Sequence, residues 1–105
     1  MSMKPKISIR KCSVHELKML GDFWTLEIIQ ALADGEKRFC ELERLLLGIN
    51  PTTLTNRLKK LTAQRVIERQ KETVDKISVV YMLTRKGRGV LPVLEQMKIF
   101  AETYL

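Results

Sequence analysis

Three features of the 105-residue sequence predict a mainly α-helical domain with one small β-hairpin, an α+β fold. Apolar residues recur at helical spacing through residues 23–61 and again through 90–104, as they do in helices with one face turned to a core. At Val66 the alternation shortens to that of a strand, and the run Ile77 to Leu83 is β-branched and aromatic. Glycines at 21, 35 and 48 punctuate the helical part, where chain reversals are expected.

Each element has its own signal. Ser13-Val14-His15-Glu16 has the Ser-x-x-Glu form of a capping box, so a short helix should begin at Ser13 and stop near Gly21. Asp22 can cap a second helix, with Phe23, Leu26, Ile28, Ile29 and Leu32 at core spacing, before Gly35 ends it. Glu36 to Phe39 has room for one edge strand. Cys40 to Leu47 then reads as a helix with Leu42, Leu45 and Leu46 inward and Cys40 as a small core residue, broken by Gly48. Ile49 is an apolar anchor, Asn50 a good N-cap, and Pro51 takes the first helical position, where its missing N–H costs nothing. A hairpin spans about 66–83 with its turn near Asp75. Thr84 caps a long last helix, which Gly87 and Gly89 should weaken at its start and Pro92 should kink. This order is that of a winged helix-turn-helix with extra helices at both ends, and the helices flanking Gly48 are the helix-turn-helix proper.

The size suits one domain over 12–105, preceded by a basic N-terminal arm over 1–11 that the composition allows to be disordered. Neither a membrane-spanning apolar run nor a signal-peptide core is present in the sequence, so a cytoplasmic protein is expected. Cys12 and Cys40 form no paired motif and His15 has no partner set, so neither a metal nor another cofactor is expected. An enzyme reading lacks a nucleophile with a base, a metal cluster and a phosphate-cradling glycine loop.

The formal net charge of +7 favours a polyanionic partner. Its distribution is more informative: Arg57, Lys59, Lys60, Arg65, Arg69 and Lys71 crowd the stretch Asn50 to Glu72, while acids gather between Ser13 and Glu43. On a helical wheel Leu54, Leu58 and Leu61 share one side of the helix at about 51–64, and Thr52, Asn56 and Lys59 lie opposite. Amide and hydroxyl groups read base edges in a major groove, whereas cations meet phosphate. Thr52, Thr53 and Asn56 are therefore the candidate base-reading residues, and Arg57, Lys59 and Lys60 candidate phosphate contacts. Lys71 and Lys76 near the hairpin tip, with Lys37 and Arg38 on the short strand, are further phosphate candidates; solubility charge is the competing explanation.

In this setting the sequence resembles the HxlR-type branch of the MarR-like winged-helix transcriptional regulators. The marks are Cys12; Trp24-Thr25-Leu26; Gly35 with Arg38-Phe39 and Glu41-Leu42; Gly48-Ile49 with Pro51; Leu54-Thr55; Arg57-Leu58-Lys59 with Leu61; Glu68-Arg69; and Tyr81-Met82-Leu83-Thr84 with Gly87. Phe23 departs from the pattern where the family usually has lysine. So does Arg65, near the family's glycine before the first wing strand, as do Lys76-Ile77 and Ser78 where wing prolines and an arginine are usual. A less sharp turn or a left-handed residue must then serve at the wing's base.

The resemblance implies a homodimer joined through the terminal helices and bound to double-stranded DNA. The stripe Val90, Leu94, Met97, Phe100, Ala101 and Tyr104 independently fits a partner helix. Some relatives sense oxidants or electrophiles at the position of Cys12, and Arg10, Lys11 and the following helix N-terminus would lower its thiol pKa here. An unreactive, half-buried thiol is the alternative. A small-molecule or electrophile effector is allowed but not named by the sequence. The rival to a sequence-specific regulator is a winged-helix adaptor that binds another protein.

Overall fold

A computed structural model of the chain describes residues 18–71 and 79–105. The start of the first helix, the arm, Cys12, Lys76 and the hairpin turn lie outside the described residues; Lys18 to Leu20 are helical, as expected before Gly21. The elements are α1 (Phe23–Ala31), β1 (Lys37–Arg38), α2 (Phe39–Leu45), α3 (Pro51–Ala63), β2 (Ile67–Lys71), β3 (Val79–Leu83), α4 (Arg85–Arg88) and α5 (Leu91–Tyr104). The strands form an antiparallel sheet in the order β1-β3-β2, with Lys37 opposite Tyr81 and Ile67 opposite Leu83. The expected hairpin thus gains a third strand. Among the described residues no helix is long and apolar enough to cross a membrane.

One core joins every layer: Ile28, Ile29 and Leu32 of α1 and its end, Leu42 and Leu46, Leu54, Leu58 and Leu61 of α3, Val66 and Ile67, Leu83, and Leu94. Several apolar residues expected inside are not. Phe23 is exposed and meets Trp24 edge to face at 5.2 Å. Leu45 is 55% exposed, because Leu42 and Leu46, one turn apart, already turn the inward stripe of α2 to the core. Cys40 is exposed as well, falling on the far side of the same helix from Leu42.

The terminal helix is interrupted. Thr84 does cap α4, its hydroxyl accepting from the Gly87 N–H at 3.0 Å, but the helix stops after one turn and restarts at Leu91. Pro92 sits in the first turn of α5, so it opens a new helix instead of kinking an old one. Gly87 is buried against the wing, where any Cβ would collide with the Val66 carbonyl.

Among the described residues three turns use positive-φ backbone, the first at Gly35 with φ 144° after α1. Gly48 has φ 88° in the reversal between α2 and α3, and Arg65 has φ 60° where the wing begins. Arg65 is the left-handed non-glycine residue anticipated from the sequence. It is braced by Thr84, whose hydroxyl donates to the carbonyls of Arg65 at 2.6 Å and Val66 at 3.1 Å. The Lys86 ammonium bonds the Gln64 carbonyl beside it at 2.9 Å.

A long-range ion pair joins α1 to α3. Asp22 caps α1 by accepting from the Thr25 N–H and hydroxyl, both at 3.0 Å. The same carboxylate accepts from Arg57 Nε at 2.7 Å and from its Nη2 at 3.2 Å. The Arg57 guanidinium, with help from the Thr25 donors and against the cost of burial, holds the Asp22 carboxyl down from 3.8 to about 2. A carboxyl with a lowered native pKa stabilises the fold above its unfolded value and loses that contribution as pH falls through the native one. Discounted for the part-exposed setting, the charge is worth about 1–2 kcal/mol at neutral pH. Asp22→Asn, which keeps a capping oxygen but not the charge, is expected to cost that amount in urea unfolding at pH 7. The gap between variant and wild type should close between about pH 4 and pH 2, and a gap that persists at pH 2 would remove the ion pair as its source.

Candidate nucleic-acid interface

Helix α3 begins where Asn50 accepts the Thr52 N–H at 2.7 Å, followed by Pro51 in the first turn. Leu54, Leu58 and Leu61 are buried, which fixes the helix's rotation. Thr52, Asn56, Lys59, Lys60 and Ala63 are exposed as a consequence, and Thr53 is half-buried at the edge of that face. No acid occurs anywhere in α3, so its outward side is cationic and hydrogen-bonding, with its positive dipole end near Thr52.

Two expected phosphate contacts are drawn elsewhere. Arg57 turns sideways into Asp22, and this partner raises its pKa above the ordinary arginine value. Lys37 folds onto Asp34 at 2.9 Å and the Gly35 carbonyl at 3.3 Å, leaving its side chain 17% exposed. Its ammonium lowers the Asp34 carboxyl from the ordinary value. Each of these cations therefore already braces a turn of the fold through a carboxylate partner. Arg38 is exposed, and its N–H bonds Glu41 Oε1 at 3.0 Å at the start of α2.

On the other flank of α3, a groove is lined by Thr55, Lys59 and Thr62 together with Phe39, Arg69 and Tyr81. Arg69 stands opposite Tyr81 in the β2–β3 ladder, and Lys71 is exposed at the strand's end opposite Val79. Lys59 of the helix and Arg69 of the wing therefore border one trough. Arg69 is not among the expected contacts: two positions from buried Ile67, it shares that residue's face of the strand, yet it is exposed beyond the edge of the core. The Asp22–Arg57 pairing was also missed, since partners separated by 35 positions leave no local signal.

The terminal stripe divides. Leu94 is only 6% exposed and belongs to the domain's own core, which corrects its expected place in an interface. Val90 and Leu91 are partly buried against the same core. Beyond them Val93, Met97, Phe100, Ala101, Tyr104 and Leu105 are open, with Met97 at 49%, Phe100 at 56% and Tyr104 at 73%. Phe100 and Tyr104 stack at 5.1 Å on that open side. Among the described residues no group of His, Cys, Asp and Glu could hold a metal ion.

Comparison with known proteins agrees with this architecture. YodB of Bacillus subtilis, an HTH-type transcriptional regulator, is 35% identical over 86 residues, covering 82% of this chain and 77% of that protein. Its reduced form superposes with a TM-score of 0.81 at 30% identity, over 94% of this chain and 95% of that one. A MarR-family regulator from Porphyromonas gingivalis W83 gives a TM-score of 0.82 at 30% identity, over 96% of this chain and all (100%) of that one. The redox regulator HypR in its reduced form gives 0.77 at 31% identity, covering 85% and 88%. YodB and the Porphyromonas gingivalis protein are transcriptional regulators and not enzymes, and the model of the HxlR-like helix-turn-helix family matches residues 19–105. The chain therefore belongs to the HxlR-like helix-turn-helix family of transcriptional regulators.

Proposed function

We propose that this regulator is a cytoplasmic, sequence-specific double-stranded-DNA-binding protein that acts as a homodimer. The observation that carries the reading is the outward side of α3: with its leucines buried, the helix exposes Thr52, Asn56, Lys59 and Lys60 and no acid. Thr52, Thr53 and Asn56 read base edges in the major groove, while Lys59, Lys60, Arg38 and Lys71 meet phosphates. Lys76, outside the described residues, would extend the wing's reach toward the backbone or minor groove. Arg57 and Lys37 leave the contact set because Asp22 and Asp34 hold them.

The dimer reading rests on the open part of α5. Two protomers burying Met97, Phe100, Ala101 and Tyr104 against each other would remove an apolar surface that a lone domain leaves in water. YodB has been solved quinone-bound and diamide-treated. Those forms support thiol control at Cys12 here, where Arg10 and Lys11 favour the reactive thiolate.

Three measurements test these parts. In gel shifts against fragments selected from the host genome, at several salt concentrations, Asn56→Ala should lose about 1–3 kcal/mol and relax one base position. Lys59→Ala should weaken all sequences alike and flatten the salt slope; equal loss of discrimination in both variants would remove the division of roles, and no preference in wild type would favour an adaptor. Phe100→Asp should convert a dimer into folded monomers in analytical ultracentrifugation and abolish dependence on half-sites about 34–36 Å apart; an undisturbed dimer would move the interface elsewhere. Diamide should lower the affinity of wild type and of Cys40→Ser for the selected site but leave Cys12→Ser unaffected, and a response lost in Cys40→Ser instead would transfer the sensor to the exposed thiol.

A further inference from the structure

A cleft of about 440 Å³ opens beside the Asp22–Arg57 tie, on the flank of α3 away from the wing groove. Lys18 and Met19 of the helical stretch before α1 line it, as do Arg57, Lys60 and Ala63 of α3 and the following Gln64. Its volume lies within the range of small-molecule sites, about 300–1,000 Å³. Three cations reach it against one carboxylate, that of Asp22, whose oxygens are taken up by Thr25 and Arg57. Lys18 and Lys60 are exposed, and among the described residues neither has an acidic partner. Arg57 spends only part of its guanidinium on Asp22. Met19 and Ala63 supply apolar lining between the charges.

We infer that this cleft binds a small organic dianion, a dicarboxylate or a phosphate monoester, whose carbon skeleton covers Met19 and Ala63 while its charged end bridges Lys18 and Lys60. Charge-assisted bonds to two ammonium groups on separate elements favour a doubly charged ligand over a monoanion. Occupancy ties the helical stretch before α1 to α3 and takes the Lys60 ammonium away from a DNA phosphate. The ligand is therefore an effector that lowers DNA affinity, and by linkage DNA lowers the affinity for the ligand equally. The effector role rests on α3 being the DNA-contacting helix; binding of the dianion does not.

Phenyl phosphate and phthalate, titrated by calorimetry into the whole DNA-free protein at fixed ionic strength, are the probes. At least one of them should saturate, and Lys18→Gln and Lys60→Gln should each weaken it about tenfold, with Lys98→Gln on α5 unchanged. Failure of both to saturate, or unchanged affinity in the Lys18→Gln/Lys60→Gln double variant, overturns the site. Gel shifts with the saturating probe should show lower affinity for the selected fragment in wild type and no effect in the double variant; saturation without any change in DNA affinity overturns the effector role. If neither probe saturates while Lys18→Gln weakens DNA binding, the cleft holds a DNA phosphate and the proposal fails. A protein without sequence preference in probe-free gel shifts negates the DNA reading separately, whatever the calorimetry finds.

Discussion

The orientation of α3 depends on one polar contact more than on any other. Three buried leucines fix which side of the helix faces inward, but apolar packing tolerates sliding along its axis, because the hydrophobic effect has no direction. The bidentate contact between Arg57 and Asp22 has a direction. Its two donors meet two oxygens of a carboxylate that is itself held by the first turn of α1. An arginine fork is a planar, geometrically demanding partner, so the contact sets where along α1 the helix can sit. The exposed groups of α3 inherit their positions from that choice.

A second bracing point lies at the other end of the same helix. Arg65 adopts a left-handed conformation costly for a side-chain-bearing residue, and Thr84 and Lys86 hold the carbonyls on either side of the bend. Thr84 also begins α4, so a single hydroxyl links the exit of α3, the wing's base and the approach to the terminal helix. Helix, wing and terminal helix thus form one mechanical unit.

Where the sequence was legible, its signals were local. Asn50-Pro51 marked the start of α3 to the residue, the leucine spacing gave its rotation, and Gln64-Arg65-Val66 marked a turn lacking its usual glycine. The misreadings share a cause. Phe23, Leu45 and Cys40 were assigned inward on hydrophobicity, yet a short helix in a small domain has room for only one narrow inward stripe, and better-placed neighbours fill it. Charge alone does not reveal that Arg57 and Lys37 each have a carboxylate within reach, one far away in sequence and one three positions back. Leu94 was read as part of a uniform stripe, because periodicity does not record where a helix leaves the body of its domain.

That departure point has a mechanical meaning. Helix α5 is anchored near its beginning by Leu94, while the stretch to Tyr104 extends with its side chains open. At 1.5 Å per residue the stretch from Leu94 to Tyr104 is a rod of about 15 Å fixed at one end. A difference of about 10° in its direction at Leu94 carries the far end by about 2–3 Å. In a pair of chains joined along this rod, its direction would set the distance between the two copies of α3.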